Sequence, residues 1–428
     1  MTSTEDRRTL RLHLLTPVFI GSGEKLSRFE YVLEQSGGTQ RILIADVNRM
    51  LEVAARLPGG GLVDRLESAA LRGEKLEDAL QPLLRLGGGT AAGWLRQQRA
   101  VAEELQLDPA ASPRISSGQT SAQPPQGRGP RQGAQRRAQT EYQIQRHLRT
   151  PDGRYYIPGS ELKGSLRVAV LYRLLNQGGP EVDRVRTGLK EALEGLRQQP
   201  GQTEARRALE RLGDWLDAQL LRLPNLQGDA KFDLFRFIQI TDTGPVAADR
   251  VAVLSAEVQP VGGGTPTGGR QGRIPMFIEA LLPETALECT LTVAPPDSEL
   301  VRRWCGGHLP EHMRRVLSVD WLLEAWRQKS QAVLEADMEQ AGRMLQPALE
   351  TLRQELRQGS TLLRVGWGQG LLATTVDLYI KKNWPNLYQD VIARLLSRRR
   401  QPSAAFPTSR RVAHCNGRLW PLGWIKLG

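Results

Sequence analysis

The sequence predicts an α+β fold with two domains, because strand patterns fall into two separate groups and each group is accompanied by helical patterns. One group lies near the start of the chain and the other lies beyond residue 230. A chain of 428 residues is long enough for two or three domains. We expect the two domains to occupy residues 1–225 and 226–428.

Strands in the first half are predicted from the alternation of apolar and polar residues. In the clearest case, apolar positions alternate with Arg11 and His13, which is typical of a sheet with one buried face. The predicted strands lie at 10–15, 29–34, 41–45 and 154–157. Leu and Ala at helical spacing, with Asp46 as a typical N-cap, predict the helices. These helices lie at 47–55, within 62–107, at 160–175 and at 182–221.

The second half repeats this mixture of strands and helices. Its predicted strands lie at 234–241, 250–258, 274–281, 287–294 and 362–365. A Gly- and Thr-rich linker at 261–272 separates two of them. The predicted helices lie at 310–357 and 387–396, and a basic tail follows.

Residues 109–139 differ in composition from the rest of the chain. They are rich in Pro, Gly, Ser, Gln and Arg and contain few large apolar residues, so they cannot bury enough surface to order themselves. We predict a flexible basic insertion here. Between 112 and 150 there are seven arginines and one acidic residue, Glu141.

The net charge of +12 favours a polyanion as partner. No acidic residue follows Asp390, whereas the ending is rich in arginine. These basic segments suit nucleic acid, although arms that touch an acidic protein would have the same composition. No apolar run approaches the length of a membrane span, and the first residues do not form a secretory signal. Three cysteines do not form a disulfide framework, so we expect a soluble cytoplasmic protein.

The first candidate site is the segment IPGSELKGSLR at 157–167. Ser160 is suited to cap a helix, and Lys163 and Arg167 lie four positions apart on one side of it. Free amides at the helix start and two cations would together bind an anion. The spacing differs from that of a nucleotide-hydrolase phosphate loop. A capped core helix with exposed cations would have the same pattern.

The second candidate site is the segment RVGWGQG at 364–370. Glycines at every second position allow backbone amides to approach a phosphodiester, and Trp367 could stack on a base. The pattern departs from the dinucleotide-binding fingerprint, and an ordinary turn would also explain it. The residues predicted to contact RNA here are Arg364, Gly366, Trp367, Gly368, Gln369 and Gly370.

The third candidate site is the loop predicted after the first strand, where small residues precede two cations. Gly21, Ser22, Lys25 and Arg28 are suited to contact an RNA backbone. Taken alone, an ordinary turn explains this segment better. Arg410 and Arg411 in the basic ending are added to the predicted RNA contacts.

Together these segments resemble the repeat-associated mysterious proteins, the RAMP superfamily of CRISPR systems. The glycine-rich segment 366–370 and IPGSELKGSLR carry the resemblance, and the closing PLGWIKL and FPTSRR resemble the ending of the fifth-subunit family of type III-A (Csm) complexes. The resemblance implies two ferredoxin-like (RRM-like) RAMP domains with large helical insertions. Relatives often have histidine where this chain has Phe19, so no role of that imidazole is carried over.

The resemblance also implies a function. Such a subunit binds crRNA by its backbone, caps the 3′ end of the filament of backbone subunits and supports crRNA maturation in antiviral defence. The implied partners are crRNA, target RNA, the backbone subunit, the small helical subunit and host nucleases, and no membrane is implied.

The alternative is a RAMP endoribonuclease that processes repeat RNA, which would need a partnered histidine near the glycine segment. We find no such partner for His13, His147 or His414, and we expect structural or surface roles for them. Cys305, His308 and His312 have a spacing that could hold zinc, but no fourth ligand is evident. Asp242 follows a strand and suits a cap or a turn. The sequence therefore predicts no catalytic residue, no metal and no cofactor.

Overall fold

The computed structural model describes residues 6–36, 39–57, 61–87, 89–111, 143–198, 202–223, 230–261, 276–397 and 406–428. The strands are β1 Asp6–Leu14, β2 Gly21–Leu26, β3 Tyr31–Ser36, β4 Thr39–Ala45, β5 Val101–Leu107, β6 Ile144–His147, β7 Ile238–Ile240, β8 Val251–Pro260, β9 Met276–Leu281, β10 Ala286–Val293, β11 Thr361–Arg364, β12 Ser409–Cys415, β13 Arg418–Pro421 and β14 Trp424–Leu427.

The helices are α1 Val47–Arg56, α2 Leu62–Arg72, α3 Leu76–Gly87, α4 Ala91–Gln97, α5 Gly159–Gln177, α6 Pro180–Gln198, α7 Gln202–Leu221, α8 Glu299–Trp304, α9 Glu311–Val316, α10 Val319–Gln340, α11 Gln346–Arg357, α12 Leu371–Thr374, α13 Asp377–Asn383, α14 Pro385–Leu387 and α15 Arg394–Leu396. A π-helical turn at Tyr388–Ala393 joins the last two. None of the helices in the described part of the chain is both long and apolar enough to cross a membrane.

Two sheets organise the strands. The first has the order β11-β14-β1-β10-β7, and the second has the order β2-β6-β9-β8-β5-β4-β3 with the hairpin β12–β13 attached to β8. Each sheet contains strands from both halves of the chain. The boundary near residue 225 stays a prediction, whereas the α+β class with curled, ferredoxin-like sheets and large helical additions is confirmed.

The sheet faces pack on helices to form the main core. In β1, Leu10, Leu12 and Leu14 are buried and Arg11 and His13 between them are exposed, as the alternation predicted. Helix α5 lies in the same core and contacts α10. This packing brings the start of α5, the end of β1 and the loop after β11 to the same end of the first sheet.

Several sequence predictions are wrong in their secondary structure. Val101–Leu107 was predicted as helix but forms β5 between β4 and β8, because sheet neighbours override the helix propensity of Ala, Glu and Leu. The predicted loop after the first strand is instead β2, and the predicted basic tail forms β12–β14. The strand predicted at 154–157 is reduced to isolated β-bridges at Tyr155. The first part of the strand predicted at 234–241, Leu234–Phe237, is a 3-10 helix that precedes β7.

Other predictions lie outside the described residues. The flexible insertion at 109–139 is described only for 109–111, which form a turn after β5. Nearly all of the linker at 261–272 is also outside the described ranges.

Candidate nucleic-acid interface

The glycine loop, residues 366–370, connects β11 to α12 and requires left-handed backbone at three positions. The φ angles are +75° at Gly366, +97° at Gly368 and +80° at Gly370. At Gly366 a Cβ would also lie 2.5 Å from the carbonyl oxygen of Phe19, so no larger residue fits. The amides of Gly368 and Gly370 have no hydrogen-bond acceptor among the described residues. Gly370 is exposed, so its amide is available to an anionic oxygen, as glycine-rich anion sites require, whereas Gly368 is buried against Leu422.

The structure brings the three sequence-predicted segments together at this loop. The Trp367 amide donates to the carbonyl oxygen of Phe19 at 2.7 Å, which joins the loop to the segment after β1. The Gly366 amide donates to Oε2 of Glu161 at 3.2 Å, which joins it to the first turn of α5. The amide of Gly423, just before β14, donates to the carbonyl oxygen of Pro17 at 2.9 Å. Backbone hydrogen bonds thus hold the glycine loop, the segment after β1 and the starts of α5 and β14 together.

Arg411 stacks on the ring of Trp367, the tryptophan of the glycine loop. The Arg411 guanidinium carbon is 4.4 Å from the centroid of the Trp367 ring, and the Phe19 ring meets the same tryptophan edge-on at 5.9 Å. Arg411 is exposed and has no ion-pair partner or hydrogen-bond acceptor in the described part of the chain. Partial burial lowers its pKa, but an arginine stays charged. Trp367 therefore holds a guanidinium whose N–H groups are free for a phosphate.

Arg364 and Arg410, in contrast, are directed into the protein. Both form ion pairs with Asp337, at 2.9 Å from Nη1 of Arg364 and 2.7 Å from Nε of Arg410. Burial lowers the pKa of Arg364 although Asp337 opposes the shift. Arg364 also donates to the carbonyl oxygen of Gly368 at 3.2 Å. Direct RNA contact by these two arginines stays a prediction, and the observed contacts give them a supporting role.

The start of α5 differs from the sequence prediction. The helix begins at Gly159 with Pro158 as N-cap, so the predicted capping role of Ser160 is wrong, and Ser160 lies exposed in the first turn. Asp242 accepts a 2.7 Å hydrogen bond from the Gly159 amide and acts as a cap, as its position suggested. A Cβ at Gly159 would lie 2.2 Å from the carbonyl oxygen of Ile240, so close packing on β7 sets this start. The helix start already has a carboxylate acceptor and is not an open anion site.

Lys163 and Arg167 have different surroundings despite their helical spacing. Nε and Nη2 of Arg167 contact the carboxylate of Asp217 at 2.6 Å each, and the same guanidinium contacts Asp233. Burial lowers its pKa, but these two carboxylates raise it overall. Lys163 has no ion-pair partner among the described residues, and burial lowers its pKa. Lys163 is therefore the more available of the two for RNA.

The predicted contacts on β2 are spread along the strand. Gly21 pairs with His147, and a Cβ there would meet the Phe19 ring at 3.4 Å, so this end adjoins the glycine loop. The Ser22 hydroxyl donates to the carbonyl oxygen of Arg146. Lys25 is exposed and lies four residues after Gly21, roughly 13 Å from it at the rise of a strand. Arg28 is half-buried in a 3-10 turn beyond the strand.

Part of the basic composition is neutralised within the fold. Arg146 pairs with Glu279 at 2.8 Å and also with Glu103, and Arg149 pairs with Glu103 at 2.8 Å. All four side chains are at least four-fifths buried. Two of the seven arginines counted between 112 and 150 are therefore structural.

His147 adjoins the glycine loop through the Phe19 ring, 6.2 Å from its own, and its geometry is structural. Its Nδ1 accepts from the Ile20 amide at 3.3 Å, and Nε2 contacts the carbonyl oxygen of Tyr156 at 3.2 Å. Burial lowers its pKa to about 4, opposed by that carbonyl oxygen and assisted by Arg149. A neutral ring with both nitrogens engaged positions the segment after β1 and is not placed to transfer protons.

The remaining candidate ligands do not converge. His312 is buried with Nε2 on the carbonyl oxygen of Leu220, and the Cys305 thiol contacts the carbonyl oxygen of Arg302. His414 lies 3.4 Å from Glu257 on β8. The described residues contain no group of three or more His, Cys, Asp or Glu that could hold a metal ion.

Comparison with protein families identifies the chain. The model of the RAMP superfamily matches residues 11–373. The chain belongs to the RAMP superfamily. The match includes the start of α5 and the whole glycine loop, so the RAMP resemblance inferred from these motifs is confirmed.

Individual RAMP proteins give a more specific likeness. The chain is 27% identical over 292 residues to the CRISPR system protein Csm5 of two strains of Mycobacterium tuberculosis. The alignment covers 66% of this chain but 65% of the relatives, slightly less than two thirds of their length.

Solved structures share the fold. The chain superposes with a TM-score of 0.63 on a chain of a Csm–crRNA–target RNA ternary complex of a type III-A system, at 19% identity and covering 99% of this chain and 100% of that one. It superposes equally, with a TM-score of 0.63 and 19% identity, on the crystal structure of T. onnurineus Csm5, covering 97% and 99%. The fold thus extends over nearly the whole chain.

Sequence reasoning missed the groups that support the site. Asp337 lies on α10, and the carbonyl oxygen of Phe19 lies after β1. A single acidic residue within the apolar face of a helix was the available signal for Asp337. A backbone carbonyl oxygen carries no signal in the sequence. The structural role expected of His147 is confirmed.

Proposed function

We propose that this chain is a non-catalytic crRNA-binding subunit of a type III-A CRISPR (Csm) effector complex. The observation that carries the proposal is the glycine loop, where the exposed Gly370 amide has no acceptor among the described residues and Arg411 lies on Trp367. Amides and a guanidinium bind phosphate groups and make no sequence-specific contacts with the bases. This chemistry suits a guide RNA, because the spacer sequence varies while the backbone does not.

The comparisons support a place in such a complex. The relatives are named Csm5, and one structural neighbour belongs to a complex that contains crRNA and target RNA. We further propose, from the family resemblance of its motifs, that the chain caps the 3′ end of the backbone filament and supports crRNA maturation in the cytoplasm. Its proposed partners are crRNA, target RNA paired with it, the backbone subunit, the small helical subunit and host nucleases.

The proposed RNA surface is narrower than the sequence suggested. Gly366, Trp367, Gly368, Gln369 and Gly370 form the loop, and Arg411 lies on the Trp367 ring. Gly21 and Ser22 adjoin it through Phe19. Lys163, Ser160, Lys25 and Arg28 extend the surface outward, whereas Arg364, Arg410 and Arg167 act through their partners inside the fold.

The absence of catalysis is part of the proposal. His147, which adjoins the loop through Phe19, is buried and neutral, with its ring nitrogens engaged by Ile20 and Tyr156. No observation in the described residues favours the endoribonuclease alternative.

The proposal is tested with the full-length protein and two labelled single-stranded RNAs of equal length and unrelated sequence. We expect affinities equal within about two-fold and a linear fall of log affinity with log salt. The RNAs should stay intact without metal, as should repeat RNA. A strong preference for one sequence, or cleavage that a single histidine substitution abolishes, would contradict the proposal.

A further inference from the structure

Helix α10 lies beneath the glycine loop and contacts both sides of it through polar side chains. The Ser330 hydroxyl donates to the carbonyl oxygen of Leu362 in β11 at 2.6 Å. Lys329 Nζ donates to the carbonyl oxygens of Leu372 and Thr375, each at 2.8 Å, just after the loop. The loop is therefore attached to α10 before it begins and after it ends.

Asp337, two helical turns further along α10, forms the central contact. Its Oδ2 accepts from Nη1 of Arg364 at 2.9 Å, and its Oδ1 accepts from Nε of Arg410 at 2.7 Å. The side chains of Arg364, Asp337 and Arg410 are 3%, 7% and 9% exposed. Burying charges is costly unless they are paired and hydrogen-bonded, so this cluster strongly favours one geometry.

The two arginines lead to opposite sides of the proposed RNA surface. Arg364 donates to the carbonyl oxygen of Gly368 at 3.2 Å and so holds the middle of the glycine loop. Arg410 belongs to β12, and the next residue, Arg411, lies on Trp367. One carboxylate therefore sets the distance between the loop and β12.

The charge balance adds to this arrangement. Two guanidinium groups share one carboxylate, so the buried cluster carries a formal charge of +1. Its other donors end on neutral acceptors, namely the carbonyl oxygen of Leu422 for Arg364 and the side-chain oxygen of Gln340 for Arg410. A positive charge in a poorly solvated position below the loop attracts an anion above it.

We propose that Asp337 is a positioning residue of the RNA site, which holds the glycine loop and β12 in register so that the Trp367 and Arg411 pair is formed. This inference rests on the proposed function for its effect on RNA, but not for its effect on the loop itself.

The test compares Asp337→Asn, which keeps the shape and removes the charge, with Glu335→Gln on the same helix, where the carboxylate is half-exposed and pairs with Lys382. Hydrogen exchange of peptides spanning 364–375 and 409–415 is measured in the full-length protein without RNA. We expect faster exchange in both peptides for Asp337→Asn only. Unchanged exchange would overturn the positioning role, whether or not the protein binds RNA.

The second arm measures affinity for labelled single-stranded RNA. Asp337→Asn should lose at least about five-fold, the lower end of one stacking contact, while Glu335→Gln stays within about two-fold of the unaltered protein. Arg411→Ala should weaken binding less in the Asp337→Asn background than alone, because both changes act on one pair. Full additivity in a folded double variant would overturn the inference. Failure of the unaltered protein to bind RNA would instead count against the proposed function.

If Asp337→Asn does not fold, Arg410→Gln provides the same test with less risk. It leaves Asp337 and Arg364 as a neutral pair and releases only β12. We then expect faster exchange in 409–415, little change in 364–375 and weaker RNA binding. Exchange and affinity like those of the unaltered protein would overturn the inference.

Discussion

The carbonyl oxygen of Phe19 accepts a 2.7 Å hydrogen bond from the amide of Trp367, which ties the segment after the first strand to the glycine loop. The contact is possible because Gly366 has no side chain to separate the two backbones. Residues far apart in sequence thereby meet at one end of the first sheet, and the RNA recognition proposed there depends on their close approach.

Substitution of Gly366 tests the close approach. Gly366→Ala places a methyl group 2.5 Å from the Phe19 carbonyl oxygen, whereas Gly370→Ala meets nothing within 4 Å, and both residues have positive φ. Both variants carry the same backbone strain, so the difference between their losses of stability measures the clash with the Phe19 carbonyl oxygen. We expect Gly366→Ala to lower the free energy of unfolding by about 1–3 kcal/mol more than Gly370→Ala, measured by urea denaturation. Equal losses would contradict the contact.

Of Arg364, Arg410 and Arg411, only Arg411 has no ion-pair partner in the described part of the chain. We expect Arg411→Ala to weaken binding to different RNA sequences equally and to reduce the salt slope by about one. The RNA affinity of Arg411→Lys should lie between those of Arg411→Ala and the unaltered protein, since lysine keeps the charge but loses the planar stacking on Trp367. Arg303→Ala removes the same charge from an exposed pair with Glu299 and is the matched control. A loss of affinity confined to one RNA sequence would contradict phosphate recognition by Arg411.

Lys163 and Arg167 should separate into a binding role and a structural role. Arg167→Ala leaves Asp217 and Asp233 without their shared partner, so we expect the free energy of unfolding to fall by about 1–3 kcal/mol. Lys163→Ala should leave stability nearly unchanged and weaken RNA binding. Arg184→Ala, in a loose exposed pair with Glu181, is the control for stability. Stability loss with Lys163→Ala but not with Arg167→Ala would reverse this assignment.

His147 should make the fold sensitive to acid. Its pKa is lowered to about 4 in the folded state, against an ordinary value of 6.5, so the unfolded chain binds more protons between these values. Its contribution to stability is present above pH 6.5 and is lost as the pH falls toward 4. We expect the stability difference between the unaltered protein and His147→Gln to shrink by about 2 kcal/mol from pH 8 to pH 5.

The control for this prediction is His308→Gln, because His308 is exposed. Urea denaturation at several pH values should show the unaltered pH dependence in His308→Gln and a weaker loss toward acid pH in His147→Gln. Parallel curves for the unaltered protein and His147→Gln would show that this imidazole is not held neutral by the fold.

Elements determined by local pattern were predictable from the sequence. β1 follows from its alternation, and α1 begins where Asp46 accepts a hydrogen bond from the Arg49 amide at 2.9 Å. β5 and the closing strands were not predictable, because they exist through pairing with distant strands such as β8. The residues of β5 favour helix by themselves, and the closing strands β13 and β14 are only four residues long.

The candidate site shows the same division. The glycine loop was predictable because its glycines require special backbone angles, and Trp367 and Arg411 were both named from the sequence. The roles of Arg364 and Arg410 were not predictable, since a basic side chain looks the same in sequence whether it meets RNA or a buried carboxylate. Both arginines pair with Asp337, which lies on α10, more than 20 residues before the loop.

Ultraviolet crosslinking of the complex purified from cells that express this chain with its own CRISPR locus tests the central claim most directly. Crosslinked peptides are identified by mass spectrometry, and the attached RNA is sequenced. We predict crosslinks from peptides that contain Trp367 or Arg411 to the 3′ part of crRNA, across guides of different spacer sequence. An assembled complex whose crRNA crosslinks to other surfaces of the chain, or to none of it, would contradict the account.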